Sequence, residues 1–245
     1  MRDRTALVTG SAGGIGAAVV AALAAAGWSA VGTDLVVDGV DVRRPGDVDA
    51  LCDRIGDVDL LVNAAGIYGE RVPFAGSDPD AWWDVLETNV RGPALLCRRL
   101  VPAMIARSGG VIVNVVSRAA VWDDPAHSSV AYATSKAALV RFTAALAAEV
   151  AGSGVLVVGL SPGFVRTGMT SGRADIDGIP DSAFLPASAA ADMVVALASG
   201  GYDALHGRFV HAGDDLAALV ERVGQDPGVR LLTLGSGGPG DPMRP

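Results

Sequence analysis

The chain has 245 residues, half of them apolar and 19 % charged, which suits a domain with a sizeable core and excludes global disorder. Acidic side chains outnumber basic ones 27 to 19, for a net charge of −8, and no Lys/Arg cluster appears, which argues against a nucleic-acid partner. Cys52 and Cys97 form no CxxC pair and cannot build a disulfide framework, so they read as reduced thiols of a cytoplasmic protein.

The first strand is TALVT at 5–9, and a close-packed helix follows over 14–27, with Gly27 as its C′ residue. Residues 5–33 carry no charge and follow the basic start MRDR, so their length alone would allow a membrane span or signal segment. Four glycines within residues 10–16 argue against that, because they would leave backbone groups unpaired in lipid. SAVGTD at 29–34 is the second strand, GVDV at 39–42 the third, and a helix from Pro45 places Val48, Leu51 and Ile55 on one face. VDLLVNAAG at 58–66 is the next strand. A long helical stretch runs over 82–106, bent at Gly92-Pro93. GVIVNVVS at 110–117 is a strand, 131–151 a helix, VLVVGLSPG at 155–163 a strand, and GRFVHAG at 207–213 another. DDLAALVERVG reads as a capped amphipathic helix with Asp214 at its N-cap, and VRLLTLG as a strand or extended arm. Strands apolar on both faces and separated by helices predict an α/β fold with a parallel sheet covered on both sides. There is no internal repeat and no break into two domains. The expected layout is a domain over 1–213, an extension over 214–234 packed on it, and a Gly/Pro-rich disordered tail over 235–245.

Thr9-Gly10-Ser11-Ala12-Gly13-Gly14-Ile15-Gly16 lies between the first strand and the first helix. Glycines there let the backbone approach a pyrophosphate, whose oxygens then meet the N–H groups of the helix N-terminus. Asp34 ends the second strand, 18 residues after Gly16, where a carboxylate accepts hydrogen bonds from adenosine ribose hydroxyls. Its charge repels a 2′-phosphate, and no Arg or Lys lies in the glycine loop or next to Asp34, so NAD is favoured over NADP. Asp41 either meets the adenine edge or pairs at the surface with Arg43 or Arg44. Asn63-Ala64-Ala65-Gly66 ends a strand with residues small enough for a cofactor to lie against the sheet edge.

Tyr132 and Lys136 are four apart on a predicted helix and share a face. Lys136 is the only lysine in a chain whose other 18 basic residues are arginine. A tyrosine hydroxyl has a reference pKa near 10, and a nearby cation stabilises the phenolate and brings proton transfer into range. An ammonium can also donate to the nicotinamide ribose. Ser117, ending its strand, can hold a substrate oxygen, and Asn89 in the bent helix can anchor a water chain to Lys136. His127, His206 and His211 show no paired metal-ligand spacing, and no metal is expected.

The set TGSAGGIG, Asp34, Asp41, NAAG, Asn89, Ser117, YATSK and Pro162-Gly163 with Thr167 resembles the short-chain dehydrogenase/reductase family in its compact single-domain branch, over roughly residues 4–213. The resemblance implies a Rossmann-type doubly wound parallel sheet of about seven strands, and a catalytic set of Asn89, Ser117, Tyr132 and Lys136. It carries over the cofactor-binding residues Gly10, Ala12, Gly13, Gly14, Ile15, Gly16, Asp34, Asp41, Val42, Asn63, Ala64, Ala65, Gly66, Tyr132, Lys136, Pro162, Gly163, Val165 and Thr167. Family members usually assemble as dimers or tetramers, and the Ala- and Leu-rich helices at 82–106 and 131–151 are the expected subunit contacts.

Three features depart from the family pattern. Asp34 and Asp41 are only seven apart, so the usual helix between those strands is missing or reduced to a loop. Ser117 lies 15 residues before Tyr132, about two more than usual. Ser128 and Ser129 are alternatives that do not end a strand. The longer loop, with Trp122, Asp123, Asp124 and His127, is expected to shape the substrate pocket. The chain also continues past GRFVHAG. Residues 168–186 read as a mobile lid, with Met169, Ile176, Ile179, Phe184 and Leu185 as an apolar lining to which Tyr68 and Trp122 can add. The expected reaction is reversible oxidation of a secondary alcohol to a ketone by NAD, on a small molecule and away from membranes. The rivals are an NADP-linked ketone reductase with the same residues and a dinucleotide-binding regulator or scaffold without turnover.

Overall fold

The computed structural model describes residues 4–121, 129–171 and 179–232. Six strands form one parallel sheet in the order β2-β1-β3-β4-β5-β8. They are β1 (Thr5–Thr9), β2 (Ser29–Thr33), β3 (Leu60–Asn63), β4 (Gly110–Val115), β5 (Val155–Ser161) and β8 (Phe209–His211). A small parallel pair, β6 (Phe164–Val165) and β7 (Phe184–Leu185), stands apart from it. The chain leaves β1 toward β2 on one side and toward β3 on the other, so the sheet switches direction between β1 and β3. Thr9 is level with Thr33 on one side and Asn63 on the other, so three strands end together there. In open sheets of this kind a ligand crevice forms beyond the carboxyl ends at such a switch.

The sheet divides two apolar layers. On one face α1 (Gly14–Ala25) and α6 (Ala187–Ala198) pack Val19, Leu23, Val194 and Leu197 against Val8, Val62 and Val158. On the other, α2 (Pro45–Ile55), α4 (Gly92–Ala106) and α5 (Val130–Glu149) pack Leu51, Leu96, Met104 and Ala147 against Leu7, Leu61 and Ile112. Strands with both faces covered must be apolar throughout, which is why they read as continuous runs. Among the described residues no helix is long and apolar enough to cross a membrane.

The expected strand at 39–42 does not form. Asp34 to Asp41 is too short for the crossover of a dozen or more residues that a parallel neighbour of β2 requires. Residues 35–38 make a turn instead, and Val40 and Val42 tuck into the core beside α2 and α4, leaving β2 at the sheet edge. The helical stretch before residue 106 begins earlier than expected, with α3 (Pro79–Leu86) capped by Asp78, and it carries a π-turn at Glu87–Arg91. Pro93 has no N–H for the carbonyl of Asn89. The turn widens, and the Gly92 N–H bonds the Glu87 carbonyl, five residues back.

At the other end α7 (Leu216–Gln225) buries Leu216, Leu219 and Val223. Its N-cap is Asp215, which accepts from the N–H groups of Ala217 and Ala218, not the expected Asp214. Asp214 accepts from the His211 N–H and pairs with Arg230. Beyond α7, Arg208 donates to the carbonyls of Pro227 and Val229, and Leu231 bridges Arg208 antiparallel along the outer edge of β8. Leu232 then packs among Val116, Leu139, Val140 and Phe209. The expected tail at 235–245 lies outside the described residues.

Candidate active site

The glycine loop wraps so closely that a Cβ on Gly16 would lie 2.2 Å from the Gly10 carbonyl oxygen, so no side chain fits there. Helix α1 has Gly13 at its N-cap position, with no side-chain cap and no acidic residue in its first turn. Its N-terminal N–H groups are therefore without a side-chain cap, which leaves them and the positive end of its dipole suited to an anion. Thr9 Oγ1 accepts from the N–H groups of Ala64 and Ala65 at 3.1 and 3.0 Å, fastening the NAAG segment across the loop. Asp34 Oδ2 accepts from the Ala12 N–H at 3.2 Å and Oδ1 from the Val36 N–H at 3.1 Å. A crevice of about 600 Å³ opens here, in the size range of cofactor sites. It gathers Gly10, Ala12, Gly13, Gly14, Ile15, Gly16, Asp34, Asp41, Val42, Ala64, Ala65, Gly66 and Thr167. It also takes in Leu35, Val40, Arg43, Thr88 and Met169, which the motif reading had not placed in the cofactor set. The uncapped helix, the forbidden side chain at Gly16 and the carboxylate at Asp34 fit a nicotinamide dinucleotide.

The Asp41 carboxylate does not present an adenine-facing acceptor. It is 7 % exposed, and both its oxygens take the Arg43 guanidinium, through Nε at 2.9 and 3.1 Å and Nη2 at 2.8 Å. Those hydrogen bonds hold its carboxyl below the usual range. The pair lies in the crevice wall, not on open surface, and Arg43 Nη1 continues to Asp84 of α3 at 2.8 Å. Asn63 is another correction. It is buried within the sheet, donating to Asn114 Oδ1 at 2.8 Å, and its side chain does not line the crevice.

Ser129 caps α5, accepting from the Tyr132 N–H at 3.1 Å, and donates to the Tyr68 carbonyl at 2.9 Å. Its hydroxyl is thereby committed to structure. Ser128 lies outside the described residues. Tyr132 packs on Tyr68 with ring centroids 4.7 Å apart. One turn on, the Lys136 amine sits 5.6 Å from the Tyr132 ring centre and donates to the Val115 carbonyl at 2.8 Å. Burial at 5 % exposure pulls its pKa down to about 8. A methyl group on Gly66 would stand 3.8 Å from Lys136 Nζ and 3.1 Å from Asn89 Oδ1, so the amine lies just behind a residue that lines the crevice. Asn89, expected to anchor a water chain to Lys136, has its side chain held by protein groups. It donates to the Ile67 carbonyl and Ser135 Oγ and accepts from the Ile67 N–H, all at 2.9 Å. It pins the strand-end loop against α5.

Ser117 lies two residues beyond β4 and begins a 3₁₀ turn, Arg118–Ala120, that packs on α5. Its Oγ accepts from the Ala119 N–H at 3.2 Å, which leaves its own O–H to donate. Thr167 packs against Gly14, where a Cβ would meet its methyl at 2.9 Å. Pro162, Gly163 and Val165 lie behind it, at the root of the small β6–β7 ladder, rather than on the crevice surface. Of the expected apolar lining, Met169 faces the crevice, while Phe184 and Leu185 form β7. Trp122, Asp123, Asp124, His127, Gly172, Ile176 and Gly178 lie outside the described residues. His206 bonds the Val157 N–H and Ala147 carbonyl, and His211 lies 3.2 Å from Ser161 Oγ. Among the described residues no group of three His, Cys, Asp or Glu side chains is placed to hold a metal.

Residues 30–176 match the family model described as short chain dehydrogenase. A short chain dehydrogenase of Pseudocercospora fijiensis is 34 % identical over 279 residues, covering 94 % of this chain and 87 % of that one. A solved actinorhodin polyketide ketoreductase variant with NADPH superposes with a TM-score of 0.74 at 27 % identity, over 85 % of this chain and 95 % of its own. A 3-ketoacyl-(acyl-carrier-protein) reductase of Brucella melitensis complexed with NADH gives 0.76 at 28 %, over 85 % and 96 %.

Proposed function

Because the chain belongs to the short-chain dehydrogenase/reductase family of oxidoreductases, we propose that it interconverts a secondary alcohol and its ketone with NAD, using Tyr132 as general acid and base. One observation carries this reading. The only lysine of the chain is buried behind Gly66 of the crevice wall, one helical turn from Tyr132. An ammonium in that dry position favours the phenolate form of a neighbouring phenol. In the oxidative direction the Tyr132 oxygen takes the proton of the alcohol, and in the reductive direction it returns it. The Ser117 hydroxyl donates to the substrate oxygen and holds the charge that develops on it. A nicotinamide bound in the crevice supplies the other half of the chemistry by accepting or returning the hydride. The N-terminal N–H groups of α1 would hold its pyrophosphate, Asp34 its adenosine ribose, Lys136 its nicotinamide ribose and Thr167 its nicotinamide end.

Preference for NAD rests on Asp34. A 2′-phosphate at the end of β2 would meet that carboxylate, and the nearby Arg43 cation is already shared by Asp41 and Asp84. An NADP-linked reductase is the second reading, favoured by the solved relative that holds NADPH. Buried Cys52 and Cys97 support a cytoplasmic setting, and the alanine-rich α4 and α5 support a homo-oligomer. The test is a panel of secondary alcohols and ketones assayed with each cofactor, repeated with Tyr132→Phe. Turnover that disappears in the variant while dinucleotide binding persists fits the proposal. Full turnover in Tyr132→Phe removes Tyr132 from the chemistry, and a clear preference for NADP overturns the role given to Asp34.

A further inference from the structure

The adenosine end of the crevice is built differently from the rest. Among the described residues no strand lies outside β2, and the wall is the short segment that carries Val40 to Arg43. The carboxylate positioned to meet an adenine edge, Asp41, has both oxygens on Arg43. Asp41 and Arg43 both line the crevice there, locked to each other.

The guanidinium is fixed in its own plane. Nε and Nη2 grip Asp41 as a fork, and Nη1 reaches Asp84 at 2.8 Å on a helix 41 residues further along the chain. Three of its five N–H groups are thereby committed along the edges. What remains for a ligand is chiefly the flat face, and 29 % of the side chain is exposed. A planar cation whose edges are pinned by carboxylates stacks on aromatic rings, and the π-face of a purine is such a ring. The surroundings agree, since Leu35, Val40 and Val42 make the nearby crevice surface aliphatic. The sheet order also agrees. β2 lies at the edge and Asp34 ends it, so a dinucleotide whose ribose meets Asp34 extends its base toward the 40–43 turn.

We infer that Arg43 is the adenine platform of this enzyme, a positioning and specificity-determining residue that holds the base by its face and not by its charge. The inference rests on the dinucleotide reading of the crevice. Its recognition is of a flat heteroaromatic base joined to an unphosphorylated ribose, because the fork that would clasp a 2′-phosphate is already filled by Asp41.

The experiment measures binding of ADP-ribose, which has the adenosine end and no nicotinamide, and of nicotinamide mononucleotide, which has no adenine. Full-length wild type, Arg43→Met and Arg43→Lys are compared by titration calorimetry, with melting temperatures recorded alongside. Arg43→Met keeps the length of the stem without the plane or the charge, and Arg43→Lys keeps the charge without the plane. The expected result is a loss of about fivefold in ADP-ribose affinity in both variants with nicotinamide mononucleotide unchanged. Wild-type affinity for ADP-ribose in Arg43→Met overturns the inference. Wild-type affinity in Arg43→Lys alone also overturns it, by assigning the role to charge. Equal losses for both ligands, or a collapse of the melting temperature, assign Arg43 to the scaffold and overturn the platform. If wild type binds no ADP-ribose, the dinucleotide reading itself fails, which is a different outcome from any of these.

Discussion

The two ends of the crevice are held by different kinds of structure. At the end proposed for the nicotinamide, Tyr132 and Lys136 sit on a 20-residue helix, and buried hydrogen bonds fix the surroundings, with Lys136 on Val115, Asn89 on Ile67 and Ser135, and Ser129 on Tyr68. At the adenosine end a short turn replaces a strand, and half-exposed ion pairs through Arg43 close the wall. Chemistry needs placement to a fraction of an ångström, and burial provides it. Binding of a base and a ribose tolerates more variation, so the proposed adenosine site can be walled by a turn where a strand was expected.

The contrast predicts unequal responses to substitution. Tyr132→Phe is expected to lower kcat by about 10³-fold with little change in NAD affinity. Comparable losses in both would mean that the ring is part of the binding surface. Lys136→Met is expected to cost about 10²-fold in turnover yet raise the melting temperature near neutral pH. The sign follows from its pKa, about 8 in the fold against an ordinary 10.5. Below 8 both folded and unfolded chains hold the proton, so the penalty for the buried charge is fully present. Between 8 and 10.5 the folded amine releases its proton first, and wild-type stability rises. The advantage of the variant should therefore narrow as pH passes 8, and a constant gap would deny the burial effect. At the other end, Asp34→Asn is expected to shift the ratio of NAD to NADP efficiency by about tenfold toward NADP, with kcat largely kept. An unchanged ratio would remove Asp34 from cofactor choice. Asp84→Asn, which frees one side of the Arg43 guanidinium, is expected to raise KM for NAD by about threefold and leave kcat alone. A matching fall in kcat would show that the two ends are coupled through α3.

The same contrast governs what could be read from the residues in order. The glycine loop, Asp34 and the YATSK spacing depend on local geometry, so the elements that carry them, a strand-to-helix turn, a strand end and a helix, were legible. So were the strands, whose double burial leaves an uninterrupted apolar record. The wall at Arg43 depends on a partner 41 residues away, and nothing local distinguishes that arginine from Arg44, whose contact with Asp41 is longer at 3.7 Å. The strand expected at 39–42 failed for a reason visible in the spacing but outweighed by its apolar alternation: the chain lacks the length to cross over. Asn63 and Asn89 read as site groups because polar residues at strand ends and bends so often are. Their protein partners, Asn114 for one and Ile67 and Ser135 for the other, come from distant parts of the chain and could not be read locally. The cap is Asp215 and not the expected Asp214, whose carboxylate is taken by the His211 N–H and by Arg230, partners that only the tertiary fold supplies.

The widened turn at 87–91 has a consequence for changes of length. A turn closed by a five-residue hydrogen bond holds one residue more than a regular α-turn and absorbs it locally, so α3 and α4 keep the facing they would have in an unbroken helix. Loss of one residue within the regular turns of α3 would instead rotate the upstream part by about 100° against the rest. Val85, fully enclosed against Gly69, sets the seat that such a rotation would empty, so α3 should accept exchange of its exposed side chains far better than a change of its length.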